Sequence, residues 1–425
     1  MMGSLVCGFD EPHRSHFRLP LDEDGLLIDI ITVREMLSSR KITSFNSHYE
    51  HIMALFCTFI MFIGCGTSES DNSEVVDRGG LDRAGVFDSK SASKPLGKGW
   101  SFSTEHKVVH AVAIKEGKVY FGTSGLEEGK ILSLGAEEGK VKWSLSTEGS
   151  VSTSADFQSG NIYIGTSQNS IYSLNRRTGE VNWKENVEGA VSTTPLVVGG
   201  QVYFGTDYYE SEGGIFYSLS ADTGEKNWSI VSSGGVKGLS YDGDRIYFSE
   251  GSGTIYSLKP GQKEFVWKLK NESTPSAPSV YQNRVYISTY EGRVKSVNSQ
   301  NGEISWSIDL KGHGYNSPVI ADTSVYVTTR YVGTFAKIYS VSQKQKKVKW
   351  SMTRSSGSFT VPVVTDKGIV VGYNDMTDES YVYKIGRKHG NVMWEYNASG
   401  QVTSPVLQDG KVYVGDGEGF VYKIR

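Results

Sequence analysis

From residue 98 to the C terminus, apolar and polar positions alternate with a period of two in short runs, and Gly, Asn, Asp, Ser and Lys clusters separate the runs. That period puts successive side chains on opposite faces of a strand, and no helical period competes with it. The stretch "IYSLNRRTGEVNW" (171–183) is typical: a strand, a tight turn at Thr178-Gly179, and a second strand closing on Trp183. The same hairpin recurs along the chain, usually ending in Trp.

The eight tryptophans, Trp100, Trp143, Trp183, Trp228, Trp267, Trp306, Trp350 and Trp394, are spaced by 43, 40, 45, 39, 39, 44 and 44 residues. A repeat of that length marks a solenoid or a propeller. Each period holds the same parts in order. A first strand such as "STTPLVV" or "NSPVIA" precedes a β-branched residue plus Tyr, as in Val119-Tyr120 and Ile162-Tyr163, except that the seventh unit has Ile369-Val370. A third strand follows ("ILSL", "IYSL", "FYSL", "VKSV", "VYKI"), and then the Trp strand. Four strands per unit is the make-up of a propeller blade.

Seven units are complete, ending at Trp143 to Trp394, whereas the eighth, from Gln401, stops after three strands. Its missing Trp strand stands at the other end, around Trp100. The sequence therefore predicts an all-β, eight-bladed β-propeller of four-stranded antiparallel blades over residues 98–425, closed by the N-terminal strand around Trp100. Gly179, with Gly139, Gly224, Gly302 and Gly390 at the same place, is expected to turn the chain at positive φ. In "KPGQKEFVW" and "SQKQKKVKW" the spacing reads as lost, so those turns are expected to differ. The tryptophans are expected to be structural wedges between neighbouring blades, each removing roughly 200 Å² from water.

Composition agrees: 49 Gly against 10 Pro, with 24 Tyr, suits many short strands and tight turns. With 44 basic and 47 acidic residues, the charge is balanced, and nothing suggests the basic face of a nucleic-acid binder. All three cysteines, Cys7, Cys57 and Cys65, precede Gly66, so the repeats hold no disulfide framework and no Cys-based metal site.

The front end reads differently. Ile52 to Ile63 is a run of 12 uncharged, mostly apolar residues, preceded by Arg40 and Lys41 and followed by Gly64-Cys65. The run is short for a bilayer span and fits the apolar core of a signal peptide. Together with Gly64-Cys65 it resembles a bacterial lipoprotein signal, which implies lipidation of Cys65; Phe62-Ile63 departs from the usual Leu and small residue. Residues 1–35 carry no recognisable role, and Met36 makes the better start. The expected organisation is 1–35 unassigned, 36–64 signal peptide, 65–97 lipidated Cys and flexible tether, and 98–425 propeller.

The small residue, Thr-Gly and Trp pattern of "SADTGEKNW" resembles the tryptophan-docking repeat of the pyrroloquinoline-quinone (PQQ)-like propellers. One branch, the quinoprotein dehydrogenases, implies PQQ and calcium at the ring axis under an adjacent Cys pair. That Cys pair is absent here. "DGDR" (242–245) and "DGEG" (416–419) match only fragments of a calcium loop and read as turns. The other branch is that of the BamB-like lipoproteins of outer-membrane β-barrel assembly. It resembles this chain in blade number, closure by the N-terminal strand, the lipoprotein signal and a "VYKIR"-like end. The Arg-bearing docking loop of that branch is not matched by "KLKNESTPSAP" (268–278).

No catalytic signature is present: no Ser-His-Asp pattern, no P-loop and no HExxH. His106, His110, His313 and His389 read as surface or turn residues. No cofactor or metal is expected. Three units carry longer loops between second and third strands, at 205–214, 328–337 and 372–380. They bear Tyr208, Tyr209, Arg330, Tyr331, Phe335, Tyr373 and Met376, a set suited to anchoring a partner. The sequence thus reads as a secreted, lipid-anchored, non-catalytic scaffold binding protein partners, BamB-like, on the periplasmic face of the outer membrane. A surface or periplasmic module binding another protein or a glycan is the alternative, and a PQQ-dependent dehydrogenase the third reading.

Overall fold

The computed structural model describes residues 97–125, 127–208, 213–376 and 379–424. Cys65, the expected signal and most of the expected tether lie outside the described residues, as does Tyr209.

The described residues form eight antiparallel sheets and contain no helix. In chain order, blades 1 to 7 span residues 113–148, 156–186, 190–232, 236–270, 279–309, 313–355 and 358–398. Blade 8 is built from both ends of the chain: Val406–Gln408, Lys411–Gly415 and Phe420–Ile424 are joined by Lys98–Ser103 as the fourth strand. Trp100 pairs with Lys423 and Phe102 with Val421 across that closure. First strands of successive blades touch one another, so they face the ring axis and the Trp strands form the rim. The fold is an eight-bladed β-propeller.

The core lies between blades. The β-branched-plus-Tyr strands bury Tyr120, Tyr163, Tyr203, Tyr247, Tyr286, Tyr326 and Tyr413 completely. Each of these rings sits 5.8–6.2 Å from the Trp of its own blade. The apolar cluster around Tyr120 and Trp143 continues into Phe157 and Ile162 of the next blade, and the other seams repeat this arrangement. Burying a side chain of that size contributes up to about 5 kcal/mol by area.

Two local devices aim each indole. A register shift precedes every Trp, as between Ser133 and Leu134 opposite Trp143, and the bulge turns the strand toward the neighbouring blade. The residue paired with the Trp is Ser133, Ser173, Ser218, Ser257, Ser296 or Ser340 in blades 1 to 6. Blades 7 and 8 place Lys384 and Lys423 there.

The indole then lies on the turn between third and fourth strands of the next blade. Trp143 meets Gly179 and donates its Nε1–H to the Arg176 carbonyl at 3.0 Å. Trp100 does the same across the closure, on Gly139 and the Ala136 carbonyl. The sequence expectation for the two aberrant turns is half corrected. In "SQKQKK" the Lys346 amide donates to the Ser342 carbonyl as Gly179 does to Asn175, and Lys346 takes the glycine's place at φ 53°. The geometry of the turn overrides the residue preference. The 259–264 turn does differ: Gly261 carries the positive φ, and Gln262 donates to the Lys259 carbonyl.

Candidate functional site: the loop face of blades 5 and 6

In an antiparallel blade the hairpin between second and third strands shares a face with the connection to the next blade. Blade 6 projects furthest on this face, because Ser324–Tyr331, Phe335–Ser342 and Lys347–Ser355 run to 8, 8 and 9 residues. The matching strands of blade 2 have 5, 6 and 6.

The projection gathers rings. Tyr331 meets Phe335 edge-on at 5.1 Å across its own hairpin, and His313 edge-on at 4.8 Å. His313 lies on the first strand of blade 6, where its backbone pairs with Arg330. Its ring stacks on Tyr290 of blade 5 at 4.2 Å, and its Nδ1–H donates to the Tyr290 carbonyl at 2.8 Å. Tyr315, on the segment that follows, meets Tyr290 edge-on at 5.4 Å and carries the Arg330 guanidinium 4.7 Å above its ring. Burial first, then a hydrogen bond with Tyr290, pushes the Tyr315 phenol up to about 12. Lys337 stands 4.9 Å over Phe335.

Of the residues expected on partner loops, Arg330, Tyr331 and Phe335 come together here. Met376 is exposed but belongs to blade 7, and Tyr208 packs against the core of blade 3. Tyr373 corrects the expectation of an accessible loop aromatic. It is 2% exposed, packs on Phe359 and Tyr383, and donates its hydroxyl to the Ser355 carbonyl at 2.8 Å. It is the penultimate residue of Gly368–Asn374, a strand buried along its whole length, so it belongs to the blade core.

Sequence reading passed over Tyr290 and Tyr315, which lie on a short turn and a blade connection, and took His313, on the first strand of blade 6, for a surface or turn residue. One signal was available: Tyr290 follows Thr289 where Ser167 follows Thr166 in blade 2. His110 also departs from expectation. Its Nε2 is buried without a partner, and burial alone pushes the imidazole down to about 4.

Among the described residues no three His, Cys, Asp or Glu side chains converge to hold a metal. Asp156, on the first strand of blade 2, is fully buried, and its two oxygens accept the Phe157 and Val197 amides. Asp242 and Asp416 close turns, accepting from Asp244 and Arg245, and from Glu418 and Phe420.

The family model described as "Outer membrane protein assembly factor BamB" matches residues 127–351 and 290–425. The chain belongs to this PQQ-like propeller family. Its structure is similar to that of BamB from Moraxella catarrhalis, with a TM-score of 0.65 at 16% identity, covering 77% of this chain and 99% of that one. It is also similar to quinohemoprotein alcohol dehydrogenase ADHIIG from Pseudomonas putida, with a TM-score of 0.69 at 12% identity over 81% of this chain and 79% of that one. A europium-containing methanol dehydrogenase gives 0.69 at 14% identity over 80% and 89%. No curated protein matches the sequence. Identities this low establish the fold, which BamB and the dehydrogenases share.

Proposed function

We propose that this chain is a non-catalytic, lipid-anchored envelope scaffold that binds protein partners on the loop face of blades 5 and 6, with a BamB-like part in outer-membrane β-barrel assembly. The observation that carries the reading is the aromatic cluster on that face. Tyr290 and Tyr331 are 40% and 43% exposed, and Val332 beside them is 59% exposed. Blade closure needs none of them, since the inter-blade seams are already filled by the buried Tyr and Trp rings. Exposed aromatics grouped with Arg are typical interface anchors. The BamB-described family match supports the assembly role, and the apolar run before Gly64-Cys65 supports a lipid anchor on the periplasmic face of the outer membrane.

Two experiments test the reading. Full-length protein solubilised from envelopes should bring down a membrane β-barrel assembly subunit, and Tyr290→Ser with Tyr331→Ser should release it. Recovery of the native partner at unchanged yield by that double variant would move the binding surface elsewhere. In detergent phase separation the wild type should enter the detergent phase and Cys65→Ser the aqueous phase, because stable anchoring needs more than one acyl chain. A wild type found in the aqueous phase would end the anchor proposal.

The likeness to quinoprotein dehydrogenases favours a second reading, oxidation of an alcohol through bound quinone. The lack of an adjacent Cys pair in the repeats, and the use of Asp242 and Asp416 to close turns, weigh against it. Calcium-dependent alcohol oxidation by protein reconstituted with PQQ would revive it.

A further inference from the structure

We propose that the cluster on blades 5 and 6 recognises an acidic side chain flanked by apolar residues in a partner protein, with Arg330 taking the carboxylate and Tyr290, Tyr331 and Val332 its neighbours. The proposal rests on the scaffold reading above and adds the chemistry of the partner.

Arg330 is held in place from several sides. Its backbone is locked between His313 on one strand and Ala336 on the other. Its guanidinium rests 4.7 Å over the Tyr315 ring, and its Nε is buried without any acceptor. Arg176, Arg245, Arg293 and Arg387 each pair with a carboxylate, respectively Glu116, Asp244, Asp309 and Asp322. Among the described residues no carboxylate pairs with Arg330, nor with Arg354 over Tyr383, but only Arg330 has exposed aromatic neighbours from two blades.

The outer N–H groups of a planar guanidinium match a carboxylate bidentately. The aromatic face beneath fixes the fork, so little side-chain entropy remains to be lost on binding.

The surroundings favour an anion. On blade 5, Asp309 and then Glu291 act on Arg293, whose charged form they favour. Around this charge lie Tyr290, Tyr331 and Val332, all substantially exposed. A neutral sugar would use such rings but would leave the charge of Arg330 unmatched, whereas an acidic residue between apolar ones answers both.

Fluorescence anisotropy on the full-length protein tests this with end-blocked peptides in which one Asp stands between two Phe in a Ser host. The probe is compared with its Asn counterpart, with an Asn peptide bearing a free C-terminal carboxylate, and with maltohexaose. The blocked Asp peptide should bind about tenfold or more tightly than the blocked Asn peptide, the size of a charge-assisted bidentate contact. Arg330→Gln should abolish that preference with an unchanged melting temperature, and Arg330→Lys should restore only part of it. Tyr331→Ser should weaken both peptides alike.

Equal binding of the two blocked peptides, no binding of either, or a preference surviving in Arg330→Gln would overturn the proposal. So would tighter binding of the free C-terminal peptide or of maltohexaose. The scaffold reading fails separately: it falls if wild-type protein recovers no envelope partner, and it stands if the partner is recovered while the peptides show no preference.

Discussion

The Trp143 indole lies so close to Gly179 of the next blade that a Cβ on that glycine would come within 2.6 Å of its Cδ2. The glycine also sits at φ +79°, where a side chain is strained even in open space. One residue thus serves a turn and a seam together. Gly179→Ala is expected to cost about 2 kcal/mol or more, through αL strain and overpacking of the indole. Lys346→Gly, at the corresponding turn of blade 6, should be neutral or stabilise by up to about 1 kcal/mol, because it relieves αL strain. Urea unfolding of the two variants checks both signs.

The indole hydrogen bond is not made in every seam. Trp143 donates to the Arg176 carbonyl, whereas the Nε1 atoms of Trp228 and Trp394 are buried without partners. Trp228 faces the aberrant 259–264 turn, and Trp394 faces blade 8, where the chain termini replace the turn. Trp143→Phe should therefore cost about 1 kcal/mol more than Trp228→Phe, the net worth of one hydrogen bond. Equal losses in denaturant melts would contradict the assignment.

Ring closure has an acid-sensitive latch. Glu137 of blade 1 accepts from Lys411 and Lys423 of blade 8, the latter at 2.8 Å. These two lysines hold its carboxyl down at about 2. A depressed carboxyl stabilises the fold above its unfolded value and loses that contribution as pH falls through about 2. Glu137 is largely exposed, so solvent screening keeps the effect near about 1 kcal/mol. Glu137→Gln should lie below wild type by that amount at neutral pH, and the two should converge as pH falls from about 4.5 toward 2. A gap independent of pH would refute the latch.

Tyr373 and Tyr331 separate core from surface. Tyr373→Ser removes a ring that is 2% exposed and should cost about 3 kcal/mol or more. Tyr331→Ser removes one that is 43% exposed and should shift stability by no more than about 0.5 kcal/mol, while lowering partner capture. Thermal melts run beside pull-downs distinguish them, and the reverse order of stability losses would overturn the assignment.

What the sequence alone determined was everything governed by periodicity. The spacing of the tryptophans set the number of blades, the alternation set the strands, and the incomplete eighth unit required the strand around Trp100 to close the ring. These are local or repeating constraints, and each repeat states them afresh. The tertiary structure decided what depends on a neighbouring blade. Tyr331 and Tyr373 occupy comparable loops in the sequence, yet one lies at the end of a projecting hairpin and the other against Phe359 and Tyr383. Lys346 shows the same dependence, since an ordinary turn geometry is imposed on a residue that would not choose it. Tyr290, His313 and Tyr315 come from two blades and meet only because the connection from blade 5 folds beside the first strand of blade 6. Burial and cross-blade contact are properties of the closed ring, and an alternating pattern of residues carries no record of which blades will face each other.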